Sequence, residues 1–283
     1  MQTAENAHIR IAKIMLHLLK SFRNTPDIDT VAQVAGISGP CFQRLFNQWA
    51  GIDPERFLRF LAADHAREIL LDADKALIAA FKPVLYDPVV DLHVVTRAEH
   101  QERGDKILIQ YGVHEGPFGP FFLAAMGTDV CALTFLEKST VRKEIEKLRK
   151  IWSQATIRES LAGTQVLADR IFYPREAGDK ASFTVVVKGT DFQAKVWKAL
   201  VRIPSGRVLS YEGLASLVGA PRASRAVGSA CARNQVSYLI PCHRVTRKTG
   251  EFGRYGGGES RKRVLLAFEA AQREAAGEAR TTF

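Results

Sequence analysis

The 283-residue chain has no Cys-x-x-Cys pair, no internal repeat, no low-complexity tract and no apolar run near the length of a membrane span, about 18 residues. Its four cysteines therefore supply neither a disulfide framework nor a zinc knuckle. His93 and His100 have no thiol or carboxylate set at ligand spacing, so no metal and no other cofactor is expected. The start of the chain lacks the basic-then-apolar layout of a signal segment, and a cytoplasmic protein without membrane contact is expected. Acidic charge is scarce in one region only. Residues 181–283 hold 17 Lys and Arg against 7 Asp and Glu, while residues 1–180 balance at 23 against 23, so the whole net charge of +10 sits in the last third. A basic domain beside a neutral one suits a polyanion, most simply nucleic acid, through counterion release; a solvated basic face is the alternative.

What is present begins with helices. Ile9, Ala12, Ile14, Leu16, Leu19 and Phe22 fall near helical spacing over residues 8–22. Ile28, Val31, Ala32 and Ala35 predict a short helix ended by Gly36, and Ser38 with Pro40 opens another that carries Phe42, Leu45 and Phe46. Short helix, Gly-containing turn and second helix is the helix-turn-helix plan, with an unrelated three-helix bundle as the alternative. In that plan the second helix presents Gln43, Arg44, Asn47 and Gln48, residue types that read base edges. The order Phe46, Gly51, Pro54, Phe57, then Ala66, Leu70 and Leu71 on a long helix, resembles the DNA-binding domain of AraC-type regulators. Such domains carry two helix-turn-helix units. The second would fall on Lys75 to Arg103, where Pro83 and Pro88 interrupt and Asp87 to Thr96 is only weakly helical, and is expected to be degenerate.

Gly104 reads as a boundary. Ile107 to Tyr111, Phe121 to Met126 and Cys131 to Leu136 are strand-like runs, and residues 139–153 place Val141, Ile145, Leu148 and Trp152 on one helical face. A polar hinge at Ala177 to Lys180 precedes the strand-like Phe183 to Val187, and the tail from Ala275 is expected to be loose. Multidomain α and α+β architecture follows: an all-α helix-turn-helix domain over residues 1–103, a small sheet-plus-helix domain over 104–180, and a helical domain over 181–283.

Chemistry concentrates in Ile240, Pro241, Cys242, His243, Arg244 and Val245. A thiol reacts as thiolate and needs nearby positive charge or a proton acceptor, which His243 and Arg244 could supply; a small buried hydrophobe is the other reading of any free cysteine, and fits Cys41, Cys131 and Cys231. Upstream lies a second helix-turn-helix: Ser210 caps Tyr211 to Val218, a turn at Gly219 to Pro221 follows, then Ala223 to Arg233. Ala223, Ser224, Ala226, Gly228, Ser229 and Ala230 leave that last helix almost bare of bulky side chains, so it can approach a backbone or a shallow groove closely.

Gly189, Thr190, Phe192, Gln193, Val196 and Trp197, with Ser210, Tyr211, Arg225 to Gly228, Asn234, Ile240 to Val245 and Tyr255 to Leu266, resemble the motifs of the O6-alkylguanine-DNA alkyltransferases. The resemblance covers about residues 183–272, and the small sheet of about 106–136 is similar to that family's N-terminal domain. With the AraC-like part in front, the chain resembles the Ada-type adaptive-response proteins. The resemblance implies a ribonuclease-H-like middle domain and a winged-helix-like catalytic domain. It implies that Cys242 takes the alkyl group of O6-alkylguanine, and of O4-alkylthymine, irreversibly after base flipping. In it, His243 takes the thiol proton through a water, Glu269 orients His243, and Tyr211 donates a proton toward the leaving purine. Arg225 fills the gap in the base stack, while Ala226, Gly228 and Ser229 let their helix lie in the minor groove. Asn234 ties this unit to the active-site turn, and Pro241, Val245, Tyr255, Gly256 and Gly257 wall the base pocket. The implied partner is double-stranded DNA carrying alkylated bases, with promoter DNA for the N-terminal domain, and a monomer is expected.

Departures from the family are informative. Arg254 stands where the family has glycine, and Gly257 where Ada-type proteins often have tryptophan, which implies a roomier pocket for larger alkyl groups. The four-cysteine zinc domain of full Ada-type proteins, which accepts methyl groups from phosphotriesters, has no counterpart in these cysteines. Two other readings stay open: an alkylation-responsive regulator whose alkyltransferase half is a sensor, and a Cys-His hydrolase, for which no oxyanion hole or acyl pocket is visible.

Overall fold

Two strands 93 residues apart lie side by side in register, Val89 opposite Ser182 and Val95 opposite Lys188, and this pairing joins the front of the chain to its last third. The computed structural model describes residues 2–21, 27–62, 70–71, 88–95, 107–136, 139–173, 181–249 and 255–275. Among these are ten helices and two sheets. Helices α1 (Gln2–Ser21), α2 (Ile28–Val34), α3 (Gly39–Ala50) and α4 (Pro54–Ala62) form the N-terminal unit. α3 starts with Pro near its first position after Ser38, as its sequence predicts, and Asp27, which the sequence reading did not single out, caps α2 through the Thr30 amide.

The larger sheet has the order β2 (Val89–Val95), β7 (Ser182–Lys188), β5 (Asp129–Phe135), β4 (Phe121–Met126), β3 (Leu108–His114) and β6 (Thr156–Glu159). Strands β3, β4 and β5 run antiparallel, whereas β2 with β7, β7 with β5 and β3 with β6 run parallel. Helices α5 (Val141–Ile151) and α6 (Leu161–Phe172) follow the antiparallel strands. The sheet therefore crosses the boundary at 180 read from the sequence. Within the stretch expected to be weakly helical, 87–96, residues Val89–Val95 are instead the edge strand β2. Its β-branched Val89, Val90, Val94 and Val95 gain a partner in β7 that no local window of sequence contains.

The last third of the chain comprises α7 (Asp191–Val201), β8 (Val208–Ser210), α8 (Tyr211–Leu217), α9 (Ser224–Ala232), a 3-10 turn at Cys242–Arg244, β9 (Val245–Thr246) and α10 (Glu259–Ala275). A small parallel sheet orders β1 (Leu70–Leu71), β8 and β9, with Leu70 opposite Val208 and Leu209 opposite Val245. Leu70 and Leu71, expected on a long helix, are thus a strand: backbone pairing with β8 overrides their helix propensity. Gly104, the hinge at Ala177 to Lys180 and Arg254 lie outside the described residues, as do Ala66, Lys75, Pro83 and residues 276–283 of the tail.

One continuous apolar core runs from Ile14, Phe46 and Phe57 of the N-terminal helices through Phe118 and Leu133 to Trp197 and Leu265. A smaller cluster, Ile109, Phe122, Cys131, Leu148 and Trp152, fills the opposite face of the sheet under α5.

Candidate active site

The turn that carries Cys242 is set by its neighbours. Pro241 precedes it, the Cys242 amide donates to Ile240 O (2.8 Å), and the Arg244 amide donates to Pro241 O (3.0 Å). Asn234 anchors the turn from outside: its Nδ2 donates to Ile240 O (2.7 Å) and to Cys242 Sγ (3.2 Å), while its Oδ1 accepts from the Val236 amide (3.0 Å). Cys242 itself is 9% exposed. Burial pushes its thiol pKa up, opposed by the Asn234 hydrogen bond and by the charge of Lys262, so the resting sulfur is a thiol that needs a proton acceptor to react.

The next residue in the chain is an imidazole. His243 is fully buried, and its Nε2 lies 2.7 Å from Glu269 Oε1. The Glu269 carboxylate accepts a hydrogen bond from Nε2–H, which leaves Nδ1, buried and without a hydrogen-bond partner among the described residues, as the basic atom of the ring. Burial lowers the His243 pKa, partly countered by Glu269, and keeps the imidazole neutral near pH 7. Two tyrosines fix the ring plane: Tyr238 stacks parallel to it at 6.3 Å and Tyr255 meets it edge-on at 6.3 Å. Tyr238 is the non-glycine residue with positive φ, 72°, among the described residues, a strained backbone held beside the reactive turn.

Glu269 has every site engaged. Arg244 reaches it with Nη2 (2.9 Å to Oε1) and Nε (3.1 Å to Oε2), and the Gly206 amide donates to Oε2 (3.2 Å). Burial alone would raise its carboxyl pKa, but Arg244 and His243 outweigh it and hold the group at about 2. Gly206 has no substitute at this point. Its φ is +68°, and a Cβ would come within 2.9 Å of Glu269 O. Arg244 Nη1 also donates to Ile203 O (2.6 Å), tying the charge cluster to the end of α7.

Tyr211 opens α8, capped by Ser210, and burial pushes its pKa up to about 12, so it stays a proton donor. Gly228 of α9 lies over its ring, where a Cβ would stand 3.8 Å from Tyr211 Cε1. On α9 the small or charged Arg225, Ala226 and Ser229 are exposed while Val227, Ala230 and Cys231 face the core. Trp197 Nε1 donates to Ala230 O (3.0 Å) and fastens α9 to α7. Pro241 and Val245 are buried beside the cysteine, and Tyr255 is buried at the start of the pocket loop. Gly256 is exposed with open space around it, whereas a Cβ at Gly257 would meet Tyr255 Cε1 at 2.7 Å and Phe135 at 3.3 Å.

Gln43 and Arg44 are not part of this assembly. They lie on α3, Arg44 exposed and Gln43 half-buried, and α3 meets the catalytic part through Trp49 and Ala50. The sequence reading missed Lys262 as a site residue. It is fully buried, its Nζ donates to Val245 O, and burial lowers its pKa to about 8. Its spacing of seven from Glu269, two turns on one helical face, is the signal that could have found it.

A buried cysteine thiol, followed in the chain by an imidazole hydrogen-bonded to a buried carboxylate and lying near a helix almost bare of bulky side chains, is the kind of site that a cysteine group-transfer protein needs. Residues 191–271 match the family described as "6-O-methylguanine DNA methyltransferase, DNA binding domain". Methylated-DNA--protein-cysteine methyltransferase of Mycobacterium bovis is 38% identical over 167 residues, covering 58% of this chain and 94% of that protein. The chain belongs to the methylated-DNA--protein-cysteine methyltransferase family. The bifunctional transcriptional activator/DNA repair enzyme Ada of Escherichia coli is 28% identical over 254 residues, 87% of this chain and 71% of its own, a match that reaches into the N-terminal helices. The crystal structure of Mycobacterium tuberculosis O6-methylguanine methyltransferase is 33% identical, covers 58% of this chain and 94% of its own, and has a TM-score of 0.48.

Proposed function

We propose that this methyltransferase is a DNA repair protein that transfers the alkyl group of O6-alkylguanine, and of O4-alkylthymine, from double-stranded DNA to its own Cys242. The observation that carries the reading is the 2.7 Å contact between His243 and a Glu269 held ionised by Arg244, directly behind a thiol that is otherwise too basic to react. His243 Nδ1 takes the thiol proton through a bridging water. The sulfur then attacks the alkyl carbon, the S–C bond forms as the C–O bond breaks, and the base leaves with a proton from the Tyr211 hydroxyl. The product is a thioether, which no group at the site can hydrolyse, so each molecule acts once. Transfer of label from O6-methylguanine DNA, followed by mass mapping of the modified peptide, tests this: label on Cys242 supports it, and label on Cys231 or Cys41 refutes it.

A damaged base inside a duplex cannot reach a cysteine that is 9% exposed, so the nucleotide is flipped out, with Arg225 on the exposed face of α9 filling the gap. A cavity of about 610 Å³ opens between α5 and the C-terminal end of α9, lined by Lys143, Lys147, Lys188, Arg233, Asn234 and Gly256. We assign its basic rim to the phosphates of the bound strand. Lys143→Gln with Arg233→Gln is expected to weaken binding equally for all sequences and to flatten the plot of log K against log salt by about one unit per lost contact, read by fluorescence anisotropy.

Gly257 gives a prediction about substrate size. The notion of a simply roomier pocket changes, because the space beside Gly257 is occupied by the Tyr255 ring. Gly257→Trp must displace Tyr255, and is expected to slow transfer from O6-benzylguanine more than from O6-methylguanine; equal effects on both rates would refute a size filter here.

A second reading rests on the Ada match extending over 87% of the chain. The N-terminal unit would then bind promoter DNA through Gln43 and Arg44, and alkylation of Cys242 would be the signal. Sequence-specific footprinting that disappears in Arg44→Ala would support it.

A further inference from the structure

Helix α10 has the composition of a surface helix, with Arg261, Lys262, Arg263, Glu269, Gln272 and Arg273, yet from Arg261 to Arg273 almost every residue is buried. An amphipathic helix ordinarily leaves its polar face in water. Here one side of α10 forms the active site, through Lys262 and Glu269, and the other side is covered by the N-terminal helices. Phe268, the residue before Glu269, stacks on Trp49 of α3 at 5.1 Å and meets Phe57 of α4 edge-on at 6.4 Å. One turn later Gln272 Nε2 donates to Ala50 O (3.1 Å), a carbonyl at the end of α3 with no partner inside its own helix. Near the end of α10, Glu274 accepts from Arg59 Nη2 of α4 at 2.8 Å. Trp49 in turn donates through Nε1 to Phe172 O (3.2 Å) at the end of α6, which fixes the N-terminal unit to the sheet as well.

We propose that the N-terminal helices are the back wall of the alkyl-acceptor site, and that Trp49 and Gln272 are positioning residues that hold Glu269 on His243. The proposal rests on the reading of Cys242 as the acceptor. Three anchors at positions 268, 272 and 274 fix the axial position of α10, and a shift of about 1 Å along that axis would break the 2.7 Å contact of Glu269 with His243 while leaving α9 and its DNA-facing residues in place. The unit that reads as a DNA reader therefore serves transfer chemistry from the opposite side of the catalytic helix.

The experiment uses the full chain and the variants Trp49→Ala, Trp49→Phe and Gln272→Leu. Single-turnover methyl transfer is measured across pH, the His243 ring is titrated by NMR, and DNA affinity and cooperative melting are recorded. Trp49→Ala is expected to lose about 10- to 100-fold in transfer rate at neutral pH, with DNA affinity unchanged and the acid limb moved to lower pH, because His243 loses the carboxylate that raises its pKa. Trp49→Phe, which keeps a ring on Phe268, is expected to recover most of the rate. Gln272→Leu decides the matter if Trp49→Ala does not fold. Folded variants with the parent rate, pH profile and His243 titration would overturn the proposal. A parent chain that transfers nothing would count against the acceptor reading alone, since the His243 titration still reports on the clamp.

Discussion

Cys242→Ala will bind duplex DNA like the parent chain and accept no alkyl group at all. The sulfur accepts a hydrogen bond from Asn234 at 3.2 Å, and Asn234 keeps its stronger bond to Ile240 O without it, so the turn should persist. The exposed residues proposed to meet DNA, Arg225, Ala226 and Ser229, lie on α9, a separate element. No other cysteine can substitute. Cys131 is buried with its pKa pushed up to about 12, Cys231 is raised further still, and neither has an imidazole-carboxylate pair behind it. The check is label transfer together with an anisotropy titration: loss of both binding and transfer would mean that the cysteine is structural, and residual transfer would place the acceptor elsewhere.

Glu269→Gln is expected to slow transfer by about 10²-fold or more while also making the protein less stable above pH 5. The kinetic loss follows because an amide can present its NH₂ instead of an acceptor to His243 Nε2, which disturbs the tautomer that leaves Nδ1 free to accept the thiol proton. The loss of stability has a definite pH window. Glu269 is held at about 2 in the folded protein against a reference value of 4.5, so its ionised form stabilises the fold at pH values above 4.5, and that contribution disappears as pH falls from 4.5 toward 2. The difference corresponds to a contribution on the order of 3 kcal/mol. Thermal melts of the parent chain should therefore fall steeply in that interval, and the Gln variant, with Arg244 left buried against a neutral partner, should show a shallower fall from a lower starting point. Identical melting curves for the two proteins between pH 2 and 7 would refute the assigned role of the Arg244-Glu269 pair.

The helices α2, α3 and α8 were legible because each is written locally, in the spacing of apolar residues, in the stop at Gly36 and in the openers Ser38 and Ser210. Strands β1 and β2 were not, since their partners β8 and β7 lie far along the chain and supply the hydrogen bonds that decide the state. The same division applies to the site. Cys242 and His243 sit side by side and could be picked out from their chemistry, and the family resemblance pointed to Glu269, Tyr211, Asn234 and Arg225.

Taken alone, the sequence determined that a thiol, an imidazole and the whole excess of basic charge share the last third of the chain, because those features are encoded within short windows. Only the tertiary structure decided that Arg244 and the Gly206 amide hold Glu269 ionised, that Lys262 lies buried with its ammonium on Val245 O, and that Tyr238 and Tyr255 flank the His243 ring. It also decided that Trp49 and Ala50 of the first helices support the catalytic helix from behind. These are contacts between residues up to 222 positions apart, set by how one continuous core is filled rather than by any local pattern.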